Sequence, residues 1–146
     1  MSRIKDDQKD FINQQVEERL KQTLAEKNIS ISFEHELSGH GFSPDAIGDK
    51  NDKLKFYEHF RAKLKDMSGK TWKDFGKENK KTGYETIPFK QFSRNLQPSL
   101  KNTNIVSPNS KLDIIRVTDR YRVIGKYLSG VYYILAYDIN FSAYSH

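Results

Sequence analysis

Leu112-Asp-Ile-Ile-Arg-Val117, Tyr121-Arg-Val-Ile-Gly-Lys-Tyr127 and Val131-Tyr-Tyr-Ile-Leu-Ala-Tyr-Asp138 follow one another with only short breaks between them. Each run is rich in the β-branched and aromatic side chains that pack well on a pleated surface, so three strands are predicted. Thr118-Asp119-Arg120 supplies a turn between the first two, and Leu128-Ser129-Gly130 a second one with glycine where a positive φ is needed. Breaks this short leave room only for antiparallel neighbours, hence a meander. Alternation places Tyr121, Val123, Gly125 and Tyr127 on one face and Arg122, Ile124 and Lys126 on the other.

Upstream, the period changes. Leu54, Tyr57, Phe60, Leu64 and Met67 recur at threes and fours with Lys and Glu between them, the pattern of an amphipathic helix that Ser68-Gly69 closes. Thr71 stands three residues before Asp74, a start signal for a second helix carrying Trp72 and Phe75, so an αα-hairpin is expected. Ile29 to Leu37 alternates apolar and polar residues like a half-buried strand, and Ser38 to Asp45 is loop-like. Tyr84, Thr86 and Ile87 have modest strand character until Pro88, and residues 93–110 read as an irregular connection. Phe11, Ile12, Val16, Leu20 and Leu24 lay a narrow stripe along an N-terminal amphipathic helix. Helices first and consecutive strands last define an α+β fold: an antiparallel sheet with a C-terminal three-strand meander and the αα-hairpin packed on one face. The expected organisation is a helical arm over residues 1–28 and one α+β domain over 29–146.

Composition narrows the functional classes. The chain has 146 residues, 36% hydrophobic and 30% charged, enough for one core, to which 9 Phe, 8 Tyr and 1 Trp add large buried areas. No cysteine is present, which excludes disulfides, thiolate metal sites and cysteine nucleophiles. His35, His40 and His59 lack the spacing of a ligand pair, so neither a metal nor another cofactor is expected. No run approaches the roughly 20 apolar residues of a membrane span, and the charged start does not resemble a signal peptide. A cytoplasmic protein without membrane contact is therefore expected. The net charge of +6 is uneven: residues 1–75 hold 14 basic and 14 acidic groups, residues 76–146 hold 11 and 5. The bias suggests an anionic partner, with nucleic acid the commonest for a basic soluble protein, the alternative being a solvated face with no ligand.

Arg116, Arg120, Arg122 and Lys126 fall on or beside the meander, interleaved with Tyr121 and Tyr127. Cations hold phosphates and tyrosine rings stack on unpaired bases, a combination suited to RNA, although the same tyrosines would serve equally as sheet core. The tail from Asp138 to His146 adds a carboxylate, an amide, a phenol and an imidazole. Metal-free RNA cleavage needs a base for the 2′-hydroxyl, cations for the phosphorane and an acid for the leaving 5′-oxygen, and side chains of these types can fill those roles. Equally, Asp138 and Asn140 could end the strand, with Tyr144 packed on a neighbour.

The ending, Tyr121-Arg-Val-Ile-Gly-Lys-Tyr127, then Ser129-Gly-Val-Tyr-Tyr-Ile-Leu-Ala-Tyr-Asp-Ile-Asn140 and Ala143-Tyr-Ser-His146, resembles the end of RelE/ParE-superfamily toxins and of related phage or mobile-element proteins. The resemblance covers about a third of the chain. It implies a toxin-type α+β protein that binds mRNA, often on a ribosome, as a metal-independent endoribonuclease held in check by an antitoxin protein. Carried over by position, Arg116 and Arg122 would stabilise phosphate, Lys126 would assist proton transfer or hold the backbone, and Tyr144 and His146 would be acid/base groups. ParE-like relatives lack the nuclease chemistry, and the arm and the 38–50 loop exceed a minimal toxin. The alternative is a non-enzymatic interaction protein that binds nucleic acid or a protein partner.

Overall fold

The structure, a computed structural model, describes residues 2–39 and 41–145, with side chains from residue 7 onward. The helices are α1 (Ser2–Ala25), α2 (Lys50–Ser68), α3 (Trp72–Gly76) and α4 (Gln97–Asn102). The strands are β1 (Ser30–Ser32), β2 (Tyr84–Pro88), β3 (Lys111–Arg116), β4 (Arg122–Leu128) and β5 (Val131–Asp138). They form one α+β arrangement with a five-stranded sheet in the order β1-β5-β4-β3-β2. The meander β3–β4–β5 is its centre, with Ile114 opposite Ile124 and Tyr127 opposite Tyr132. β2 adds antiparallel to β3, whereas β1 runs parallel to β5, so the sheet is mixed.

The strand expected over residues 29–37 is only three residues long. Ser32 Oγ accepts the Glu34 N–H at 3.1 Å, a local turn that competes with the ladder. The chain nevertheless stays close: the Leu37 N–H donates to the carbonyl of Leu135, a residue left over by the register shift at Ile124/Gly125.

One face of the sheet is covered by α2 and α3. Asp49 caps α2 by accepting the Asp52 N–H at 2.9 Å, and Gly69 ends it. Its buried line is Phe56, Phe60 and Met67, while Leu54 and Tyr57, expected in the stripe, are 60% and 44% exposed. Two residues advance a helix by about 200°, so burying Phe56 turns Leu54 outward. Thr71 caps α3 as its spacing predicts, accepting the Asp74 N–H at 3.1 Å. Trp72 then lies between the rings of Tyr84 and Tyr127, at 4.0 and 4.2 Å between centroids.

The other face is covered by the stretch that reads as irregular in sequence. A 3₁₀ turn (Phe89–Gln91) and α4 bury Phe89, Phe92, Leu96 and Leu100 against Leu112, Ile114 and Ile124. Pro98 sits in the first turn of α4, where its missing N–H is harmless. Both faces are thus packed, which no other part of the sequence pattern foretold. α1 stands apart: every residue from 7 to 23 is exposed, and Leu24 lies beside Gly130. Among the described residues no helix is long and apolar enough to cross a membrane.

Asp113 is buried among the aromatic residues between α3 and the sheet, its carboxylate accepting the Tyr127 N–H at 2.8 Å. Burial raises its pKa above the ordinary carboxylate value of 3.8, opposed by that bond and by the nearby Lys126 charge. A carboxyl whose folded pKa is raised retains its proton longer in the native state, so it loses stability as pH climbs through and past 3.8. Asp113→Asn keeps an acceptor for Tyr127 and removes the buried charge. The expected result is a higher Tm than wild type at pH 7 and convergence of the two near pH 3, measured by thermal melts across pH.

Candidate nucleic-acid interface

The β3–β4 turn and the adjoining side of α2 face each other across a groove. Its larger part, about 550 Å³, is lined by His59, Lys63, Asp66, Lys81, Arg116 and Asp119. A second recess of about 260 Å³ continues it past Asp52, Lys55, Phe56, Arg120 and Tyr121, sharing His59, Thr118 and Asp119 with the first. On α2 the lining positions 52, 55, 56, 59, 63 and 66 fall at helical spacing, so one strip of the helix builds one wall. The turn builds the other, and Thr118 holds it by accepting the N–H groups of Arg120 and Tyr121.

Five cations face three carboxylates in this groove, and two of the carboxylates are already engaged: Asp52 with Arg120 at 3.8 Å and Asp66 with Lys70 at 3.0 Å. Lys63 is half-buried, donates to the Thr82 carbonyl and lies 5.6 Å from the centre of the Phe75 ring. Burial lowers its pKa, opposed by Asp66 and Glu78 and assisted by Lys70. Among the described residues, Lys55, Lys81 and Arg116 have no carboxylate within ion-pair distance, and the buried Nε of Arg116 has no hydrogen-bond partner.

The residues singled out from the sequence are distributed over three places. Arg116, Arg120 and Tyr121 line the groove, although Tyr121 is only 6% exposed: its ring meets Phe56 edge-on and carries the Arg120 guanidinium at 5.3 Å. Tyr127 stacks on Trp72 on the same face, so neither ring is open to a base. By register Arg122 and Asp138 share the face of Tyr144, and Arg116, which pairs with Arg122, lines the groove from the last position of β3. Arg122 is 7% exposed, donates to the Asp119 carbonyl and lies over Phe141 at 5.2 Å. Tyr144 is buried on Phe92, with its hydroxyl 3.5 Å from the Glu85 carboxylate, and burial followed by the Glu85 charge raises its pKa. Lys126 shares that face but is four positions further along β4, about 13 Å away at strand rise, where its ammonium donates to the Lys111 carbonyl at 2.8 Å. His146 lies outside the described residues.

The groove residues on α2 were not legible as a site, because Lys55, His59 and Lys63 look in sequence like the ordinary solvent face of an amphipathic helix. Only their return opposite Arg116 and Arg120 gives them a common target. No family model, curated protein or solved structure matches the chain.

Proposed function

We propose that the chain is an RNA-binding protein of RelE-like type that grips the phosphate backbone in the groove between α2 and the β3–β4 turn. The observation that carries this reading is the convergence of Lys55, Lys81 and Arg116 from three separate segments onto one cleft, with no carboxylate within ion-pair distance of any of them among the described residues. The aromatic side chains of the sheet take part by supporting the groove, since their rings are occupied by each other. Phosphate contacts release counterions, so log K should fall linearly with log salt at about 0.7 per contact on a single strand. Fluorescence anisotropy with a 20-nucleotide single-stranded RNA tests this. The triple variant Lys55→Ala, Lys81→Ala, Arg116→Ala should lower the slope by about 2 and weaken binding. An unchanged slope removes the groove as the contact surface.

One observation favours a second reading, metal-independent cleavage of the bound strand: His59 lines both recesses, beside Lys63 and Arg116. An imidazole there is placed to take the proton of a 2′-hydroxyl, the Lys81 and Arg116 cations to stabilise the phosphorane, and the Lys63 ammonium to give a proton to the leaving 5′-oxygen. The products would carry 2′,3′-cyclic phosphate and 5′-hydroxyl ends. His59→Ala should then cut the cleavage rate about 100-fold or more with RNA affinity retained. Intact RNA after prolonged incubation with the wild-type chain leaves the binding reading alone.

A further inference from the structure

The acid-free stretch of this chain builds a surface of its own. Between Glu85 and Asp113 there is no carboxylate, but Lys90, Arg94, Lys101 and Lys111 all fall there. The first three are brought together by the layer that covers the second face of the sheet. Lys90 comes from the 3₁₀ turn, Arg94 from the loop after it and Lys101 from the last turn of α4. They rim a cleft of about 480 Å³ whose apolar lining is Phe89, Pro98 and Pro108. A polar recess of about 360 Å³ adjoins it, sharing Lys90, Arg94 and Gln97 and adding the hydroxyls of Ser93, Ser142 and Ser145.

The surroundings are fixed. Phe89 and Leu100 are core residues at 3% and 0% exposure, so the turn and the helix that carry Lys90 and Lys101 are anchored from below. The Gln97 amide donates to the Phe92 carbonyl at 2.7 Å, Ser93 accepts the Leu96 N–H, and the Ser145 N–H donates to the Gln91 carbonyl. Among the described residues none of the three cations has a carboxylate within ion-pair distance. Three like charges in one cleft repel one another, and among the described residues no carboxylate within ion-pair distance compensates them. A bound polyanion would relieve that repulsion, while the serine hydroxyls and the Gln97 side chain offer neutral hydrogen bonds to phosphate oxygens and sugar.

We propose that Lys90, Arg94 and Lys101 form a second phosphate-binding site that holds the backbone of the same RNA on the other face of the sheet from the groove. It rests on the RNA-binding reading but on different residues. RNA is favoured over an anionic membrane surface because the cations rim a recess with hydrogen-bonding walls, and the large apolar side chain beneath them, Phe89, is buried and not available for insertion.

The test uses the full chain and two single-stranded RNAs of 8 and 30 nucleotides, with binding measured across salt concentrations. Lys90→Ala, Arg94→Ala, Lys101→Ala should reduce the salt slope for the 30-mer by about 2 and weaken its binding at least fivefold, leaving the Tm unchanged. The charge-preserving variant Lys90→Arg, Arg94→Lys, Lys101→Arg should keep most of the slope. The 8-mer, too short to reach both sites, should respond less to the triple alanine change than the 30-mer. Unchanged slope and affinity for the 30-mer in the alanine variant overturn the site, as would binding to phosphatidylserine vesicles with none to RNA. Weakening by this variant but not by the groove variant leaves the second site standing and removes the groove; the converse result removes the second site.

Discussion

Gly125→Ala is expected to unfold the protein or to lower its stability by about 3 kcal/mol or more. Gly125 lies in β4 at the register shift, and its side of the strand faces α3. A Cβ there would be 2.5 Å from the Tyr133 carbonyl oxygen and would also collide with the ring and hydroxyl of Tyr132, all under the 3.0 Å that real Cβ atoms respect. The Tyr132 ring cannot step aside. It is fully buried, its hydroxyl donates to the Asp113 carbonyl at 2.8 Å, and Trp72 stacks beyond it. The Tyr133 oxygen is main chain of the neighbouring strand, so relief there means breaking the β4–β5 pairing. Tyr132→Ala placed on the Gly125→Ala background should therefore recover only part of the loss. For a domain of this size the single variant should melt about 6 °C or more below wild type, if it folds. A Tm within 1 °C of wild type would mean that β4 and β5 do not approach as described.

The same glycine shows what could be read from sequence and what could not. Alternation alone put Tyr121, Val123, Gly125 and Tyr127 on one face of β4, and that face does meet α2 and α3, because a strand has only two sides and an apolar set selects one. The αα-hairpin was legible from period and from the Thr71 cap. Failures arose where two signals competed. Leu54 and Phe56 are both apolar, and only packing against Tyr121 and Tyr137 decides that Phe56 turns inward. α4 is six residues long, with a proline in its first turn and asparagines around it, so breaker residues masked the spacing of Phe89, Phe92, Leu96 and Leu100. That omission hid the second covered face and, with it, the cationic cleft above it. The candidate groove was half legible: Arg116 and Arg120 belong to a run visible in the sequence, but their partners on α2 are more than fifty residues away and meet them only through the fold.

Asp138→Ala should be the second severe variant, costing about 3 kcal/mol because it strips two backbone donors of their acceptor, and it separates a structural from a catalytic role for the tail. Asp138 is 1% exposed and stands opposite Arg122 in the β4–β5 register, with Arg122 itself opposite Arg116 on β3. Asp138 thus has Arg122 on the adjacent strand, whereas Arg116 is one strand further off. It also accepts the N–H groups of Ser142 at 3.1 Å and Ala143 at 3.3 Å, which turns the chain so that Ala143 and Tyr144 reach the core and Tyr144 pairs with Phe92. Removing the carboxylate leaves the Ser142 and Ala143 amide donors without this acceptor at the end of the sheet. A loss of about 10 °C in Tm is expected, with the tail more open to proteolysis after Asp138. Tyr144→Phe, by contrast, keeps the ring on Phe92 and gives up the weak 3.5 Å contact to Glu85, so it should change Tm by no more than about 2 °C. If Tyr144 were an acid/base group, Tyr144→Phe would abolish RNA cleavage while leaving the melt intact. If it is a core residue, as its burial and raised pKa favour, the phenylalanine variant keeps full RNA affinity and Asp138→Ala loses affinity only in step with its fold.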